Sequence, residues 1–362
     1  MVCGSLMIMR TSINFEAGAS FDTLVYNTLG PTWNVANGIL FAFLLYILDY
    51  AYISGGGAIV SLSLEPWLGQ SLPQYAGSLL FAVPLAVIVW VSTLFVSRVL
   101  IVLIIGIVIT FVLAMSNLVA GVDIALLFSP PAKESETPYF YYIFAALPFF
   151  LTSFGFQSSV PSLMSFYDKN VERVQSSILI AGVICVLVYL VFLIVSFGNV
   201  PRLDFGEISA QGGNIDLLVG AMNANNSTNG TLQILNWFAN CALVSSFLGV
   251  SLGLFDFIRD KFGFADTPKG RFFTALISFL PPIVGGTFFP DGFIFAIGFA
   301  GLTLAILALI IPPLMLKKSK ILFPGMDCGI VGKPLIGKLV LSFGLVCVVC
   351  HTLSLLDLLP VY

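Results

Sequence analysis

Charge is what this sequence has least of. Only 9% of its 362 residues are Asp, Glu, Lys or Arg, against about 25% in an ordinary soluble domain. That scarcity excludes a water-soluble enzyme and a disordered tail. With a net charge of -3 and no polybasic tail, nucleic acid is not an expected partner. Histidine occurs once, as His351. One imidazole leaves no Ser-His-Asp set and no His-Glu-x-x-His helix, so hydrolytic chemistry has no residues to rest on, and the chain is not expected to be an enzyme. The six cysteines fall at 3, 185, 241, 328, 347 and 350, mostly inside apolar runs, which excludes a secreted disulfide framework. Cys347, Cys350 and His351 share one apolar stretch, but no fourth ligand accompanies them, so no metal and no cofactor is expected.

What is abundant is apolar surface. Hydrophobic residues make up 58% of the chain and the mean hydropathy is +1.04. A spanning helix needs about 20 apolar residues. Seven runs qualify: Val35–Val60, Tyr139–Gln157, Ser176–Val200, Leu232–Phe257, Phe272–Phe289, Phe293–Leu316 and Leu339–Leu359. An eighth, Ala76–Gly121, is too long for one crossing and is interrupted at Ser97-Arg98. A charge at mid-bilayer is costly, so it divides into spans near 76–96 and 99–121 with Arg98 in a tight turn. The expectation is an all-α polytopic membrane protein with about nine transmembrane helices. Residues 1–30 are read as a cytoplasmic segment and 31–362 as the transmembrane domain. Membrane lipid is the expected surroundings.

Lys and Arg set the orientation. Thirteen of the fifteen fall in one alternate set of loops, leaving only Lys133 and Arg202 in the other. The positive-inside rule puts the N-terminus in the cytoplasm and Tyr362 outside. Trp33 and Trp67 bracket the first span as interfacial anchors would. The outer loop from Asn199 to Thr231 reads as a hairpin or cap; its Asn-x-Ser/Thr matches at Asn225, Asn226 and Asn229 are weak acceptor signals. Met1–Met9 is apolar, followed by Arg10, and too short to cross or to be a signal peptide. It reads as the last turns of a truncated helix.

Irregular backbone at membrane depth survives only beside protein or a water-filled cavity, so breaks point to sites. The strongest is Ser153-Phe-Gly-Phe-Gln-Ser-Ser-Val-Pro161. An unwound segment there exposes helix ends whose partial charges suit a carboxylate and an ammonium; an ordinary capped helix end is the other reading. Tyr52-Ile-Ser-Gly-Gly-Gly57 serves either close helix packing or ligand contact, and is no nucleotide loop. Ser245, Gly249 and Gly253 form a small-residue stripe suited to packing, while Ser245 and Ser246 can also face a cavity. Pro281-Pro282 reads as a kink and Pro312-Pro313 as a helix end. Asp49 lies deep in the first span, where an ionisable group is a functional candidate by default. It is either a proton or cation site or a neutral, hydrogen-bonded side chain. Asp256, three residues before Arg259, reads as an interfacial pair.

At these segments the chain resembles the hydroxy and aromatic amino-acid permease family, in its tryptophan-specific branch. The matching residues are Tyr50-Ala-Tyr-Ile-Ser54, Ser153-Phe-Gly155 with Val160-Pro-Ser162, Gly198-Asn-Val-Pro-Arg202, Gly212-Gly-Asn-Ile-Asp216, Ser245-Ser-Phe-Leu-Gly249 through Gly253-Leu-Phe-Asp256, Phe289-Pro290 and Leu358-Leu-Pro-Val-Tyr362. The resemblance implies a LeuT-like fold of inverted five-helix repeats. It implies proton-driven symport of aromatic amino acids, tryptophan above all, across a bacterial inner membrane, with the C-terminus periplasmic. It implies a substrate site at Ser153, Phe154, Gly155, Phe156 and Gln157, walled by Tyr52, Ser54, Gly55, Ser245 and Ser246. Phe154 and Phe156 would hold the indole, and Asp49 would couple the ion. Asp49 departs from the family, where an uncharged residue, often Thr, is expected. The match begins at the end of the family's second helix, so an N-terminally truncated chain is expected. The rival reading is a non-transporting membrane remnant of such a permease.

Overall fold

The computed structural model describes residues 1–16, 18–70, 72–128, 140–211, 213, 215–224 and 230–360. Every regular element among them is helical: α1 (Val2–Ser12), α2 (Phe21–Leu29), α3 (Pro31–Leu68), α4 (Gln74–Val91), α5 (Thr93–Val119), α6 (Ile124–Leu127), α7 (Phe140–Thr152), α8 (Val160–Phe166), α9 (Val171–Asn199), α10 (Arg202–Ala210), α11 (Ile215–Ala224), α12 (Thr231–Phe262), α13 (Pro268–Phe288), α14 (Phe293–Leu304), α15 (Ile311–Leu322) and α16 (Pro334–Leu355). Among the described residues, nine stretches are long and apolar enough to cross a bilayer, the number the hydropathy runs predict. Helix is the only open-chain answer there, since hydrocarbon offers the backbone no partners. The spans in α5 and α9 bury least, 11% and 17% of their central windows. Their exposed Ile101, Val102, Ile105, Val108, Ile180 and Val183 present apolar surface that lipid tails would cover. Trp33 and Trp67 are both exposed, as anchors at an interface must be.

The long apolar run divides at Ser92, not at Ser97-Arg98. Ser92 adopts extended backbone and its hydroxyl accepts from the Phe95 N–H at 3.2 Å, capping α5. The last carbonyls of α4 are met by Arg271, whose Nε donates to Trp90 O at 2.8 Å and Nη2 to Val89 O at 3.2 Å. A serine cap and a guanidinium on orphan carbonyls decide the boundary; Arg98 rides on the exposed face of the first turns of α5. Pro312-Pro313 also differs from expectation. Both prolines lie in the first turn of α15, after a π-helical stretch Ala305–Ile310, and the span runs on to Leu322. A widened turn there leaves the missing proline N–H groups without a penalty. Pro281 and Pro282 are accommodated within α13. Asn225, Asn226, Asn229, Gly212, Lys133 and the final Val361-Tyr362 lie outside the described residues.

The chain forms two compact units. One comprises Met1–Leu44, Glu136–Val188 and Gly298–Val361. In it α1 packs on α15 and α8, α2 on α15, and α16 on α7. The residues Met7, Ile8 and Met9 of α1 are fully buried. Arg10 at its end donates to Asp327 and Gln175, both at 3.3 Å. Glycines let α14 approach α7: a Cβ at Gly301 would overlap the Pro148 carbonyl, and Gly298 lies against Phe149 and His351. Gly301→Leu is therefore expected to destabilise the detergent-solubilised protein by about 3 kcal/mol, read as a fall in thermal midpoint. The same change at Gly206, where a Cβ meets open space, should leave the midpoint in place. Equal midpoints for the two variants would refute the close approach.

The other unit comprises Leu45–Ser135 and Tyr189–Ile297. Here α12 is central and packs on α4, α5, α11 and α13, with Phe247 and Phe255 fully buried. A glycine seam joins α3 to α4. Gly56 faces the Phe81 ring, Gly57 the Ser78 backbone, and Gly77 the Gly57 carbonyl, each too close for a Cβ. This is small-residue packing of membrane helices, and it accounts for two of the three consecutive glycines. At the far end of the unit Asn199 Nδ2 donates to Val195 O at 2.8 Å and Leu118 O at 3.1 Å. Among the described residues beyond it are the short helices α10 and α11.

Candidate functional site

The break expected at Ser153–Pro161 is present. α7 ends at Thr152, residues 153–156 leave helical geometry, Gln157–Ser159 make one 3-10 turn, and α8 begins at Val160 with Pro161 in its first turn. All of this lies within one apolar stretch, Phe140–Phe166. The backbone is held by short-range bonds: Phe154 N–H to Leu151 O at 3.1 Å and Ser159 N–H to Phe156 O at 3.0 Å. Gly155 lies against Leu304, the residue just before the π-helical stretch, and a Cβ there would stand 3.0 Å from it. Ser153 is exposed; Phe154 and Phe156 are half-buried. Gln157 is 3% exposed. Its Nε2 donates to Phe154 O at 2.8 Å, while its Oε1 is buried with no hydrogen-bond partner among the described residues. A buried, unused acceptor beside an opened helix end can receive an N–H from a ligand.

The second cluster lies in the unit built around α12. Asp49 on α3 is fully buried. Ser251 of α12 donates to its Oδ1 at 3.0 Å, and its Oδ2 has no partner among the described residues. A carboxyl in such surroundings must acquire either a proton or a cation. Among the described residues no salt bridge involves Asp49. Tyr46 and Tyr52 stand within reach of its charge, and Ser246 lies beside the Tyr52 hydroxyl. Ser245 turns back on its own helix, donating to Ala242 O at 3.0 Å. Gly249, expected to pack, is exposed with open space where a Cβ would go.

Ser54 and Gly55 make contacts within the protein. The Ser54 hydroxyl donates to the Pro290 carbonyl, which also accepts from Gln74 Nε2 at 3.2 Å. One turn earlier, Tyr50 OH donates to Phe289 O at 2.8 Å. Together these side chains latch the loop between α13 and α14 onto α3. Gly55 lies under the Phe293 ring, which a Cβ would meet at 3.1 Å. Asp256 pairs with Arg259 at 3.2 Å, one turn apart on α12, as expected.

Three features carry little signal in the sequence. Ser251 lies between Gly249 and Gly253, and a lone membrane Asp signals that some partner exists without saying which. Phe293 gives no signal at all. The third is a polar cavity of about 640 Å³ lined by Gln74, Ser209, Gln211, Asp216 and Asp291. Burial raises the Asp216 carboxyl above its ordinary range; the Leu217 and Asp216 backbone N–H groups offset part of this, and the Asp291 charge adds to it.

The family model for the tryptophan/tyrosine permease family matches residues 1–351. The chain is 43% identical to a tryptophan-specific transport protein of Pseudomonas aeruginosa (strain UCBPP-PA14), over 100% of this chain and 86% of that protein. It is 42% identical to a tryptophan-specific transport protein of Shigella flexneri, over 100% of this chain and 87% of the other. A tyrosine permease of Enterobacter agglomerans is 41% identical, over 90% of this chain and 78% of its own length. Matches of this breadth, on a chain whose described residues include nine apolar stretches long enough to span, show that it is a multi-pass membrane transport protein, not an enzyme, and that it belongs to the tryptophan/tyrosine permease family.

Proposed function

We propose that this protein is a proton-coupled symporter that carries aromatic amino acids, tryptophan first among them, into the cell across a bacterial inner membrane. The observation that carries the reading is the helix break at residues 153–159 within an apolar span. Transporters place broken helices where a charged substrate must be held at membrane depth. The tryptophan-specific relatives, aligned over 86% and 87% of their lengths, support tryptophan as the substrate.

The ammonium and the indole of the substrate have counterparts in the chain. The carbonyl end of α7 carries partial negative charge suited to the ammonium. Phe154 and Phe156 offer aromatic faces to an indole, which gains from burial and edge or offset stacking. Gln157 Oε1 is free to accept an N–H. Asp49 supplies the proton site, with Ser251, Tyr52 and Ser246 around it. The split of thirteen basic residues to two favours a cytoplasmic N-terminus and a periplasmic C-terminus.

The direct test is uptake of labelled tryptophan by proteoliposomes holding this chain, with the lumen made alkaline. Accumulation above the outside concentration, abolished by a protonophore, is expected. Uptake indifferent to the gradient would overturn proton coupling, and no uptake of any aromatic amino acid would overturn the substrate class. Excess unlabelled tryptophan should compete more strongly than tyrosine or phenylalanine.

A further inference from the structure

Lysine is distributed very unevenly on this chain. Five lysines fall between Lys317 and Lys338, and the carboxylate within that segment, Asp327, is paired with Arg10. Four of the five, Lys317, Lys320, Lys333 and Lys338, line a single cavity of about 440 Å³ between α15 and α16. Among the described residues none of the four makes a salt bridge. Lys320 donates to the Gly332 carbonyl, which holds its ammonium at the cavity. α16 starts at this point with no side-chain cap and no acidic residue in its first turn. Four like charges gathered without a counter-charge repel one another, and an anion between them removes that cost.

The remainder of the cavity identifies the anion. Its floor is apolar, made by Met7, Leu316 and Val331, all buried. A free inorganic anion gains nothing from such a wall. An amino-acid zwitterion presents one carboxylate and an ammonium that four lysines would repel. A phosphodiester attached to acyl chains matches both surfaces at once. We propose that this cavity binds an anionic phospholipid, its phosphate among Lys317, Lys320, Lys333 and Lys338 and an acyl chain against the apolar floor. Basic pockets between membrane helices hold acidic headgroups by this combination of charge and hydrocarbon. The lipid then acts as a tie between α15 and α16, supplying the negative charge that the sequence omits.

The test is native mass spectrometry of the full chain, delipidated in neutral detergent and titrated with phosphatidylglycerol or with phosphatidylcholine of the same acyl chains. Phosphatidylglycerol is expected to bind at least about tenfold more tightly. The preference should vanish in the K317Q/K320Q/K333Q/K338Q variant and survive in K261Q/K269Q, which removes charge elsewhere. Should the fourfold variant fail to fold, K333Q and K338Q singly are each expected to weaken phosphatidylglycerol by about threefold to fivefold. Equal binding of the two lipids, or equal loss in both multiple variants, would overturn the site. Displacement of the lipid by millimolar inorganic phosphate would also overturn it, since the headgroup charge alone would then explain binding.

Discussion

Asp49→Asn is expected to collapse proton-driven tryptophan accumulation to equality across the membrane while leaving exchange of internal for external tryptophan intact. With one proton carried per substrate, a gradient of one pH unit stores about 1.4 kcal/mol and sustains about tenfold accumulation. A carrier that moves substrate without the proton has no such reservoir. Asparagine is nearly the same shape, and its carbonyl can still accept from Ser251, which donates to Asp49 Oδ1 at 3.0 Å. What it lacks is a titratable oxygen in place of the unpartnered Oδ2. The readout is the steady-state ratio of labelled tryptophan inside and outside proteoliposomes, followed by exchange in the absence of a gradient. A wild-type ratio in the variant would remove Asp49 from the coupling mechanism. Loss of both accumulation and exchange would assign it to substrate handling.

The second large effect is expected at Gln157. Gln157→Leu keeps similar bulk but removes the buried Oε1 that has no partner and the Nε2 bond to Phe154 O. A hydrogen bond to a charged group contributes about 1.5–3 kcal/mol, so the KM for tryptophan uptake should rise by about tenfold to a hundredfold. Loss of the Phe154 bond costs about 1 kcal/mol more from the geometry of the break. A thermal midpoint within a few degrees of wild type would show that the fold survives. An unchanged KM would mean that Gln157 only braces the break and that the substrate is held elsewhere.

The spans were legible because hydrocarbon demands long apolar helices, and nine are found among the described residues. Where each helix stops was less legible. Arg98 drew the expected turn toward itself because a charge in an apolar run is conspicuous. The actual turn at Ser92 rests on Arg271, which lies 181 residues beyond the Trp90 carbonyl it bonds. Sequence inspection cannot pair such distant partners. The break at 153–159 was visible because Gly155, three serines and Pro161 interrupt a continuous apolar run. Asp49 was equally visible, since charge is so rare here. Ser54 and Ser245 were less informative: a hydroxyl in a span serves a ligand, a loop carbonyl or its own helix equally well, and only coordinates separate these uses. In this structure the Pro290 and Ala242 carbonyls take them.

The glycine seam between α3 and α4 has a mechanical consequence. Gly56, Gly57 and Gly77 bring the two helices so near that a Cβ on any of them would collide. Sliding either helix by one residue would push side chains into that seam, so the pair behaves as a single stiff beam. Compliance is expected where the backbone bonding pattern is irregular, as at residues 153–156 and in the π-helical turn at Ala305–Ile310. A transport cycle built on this chain would therefore bend at its interruptions and carry its glycine-welded helices along as rigid spars.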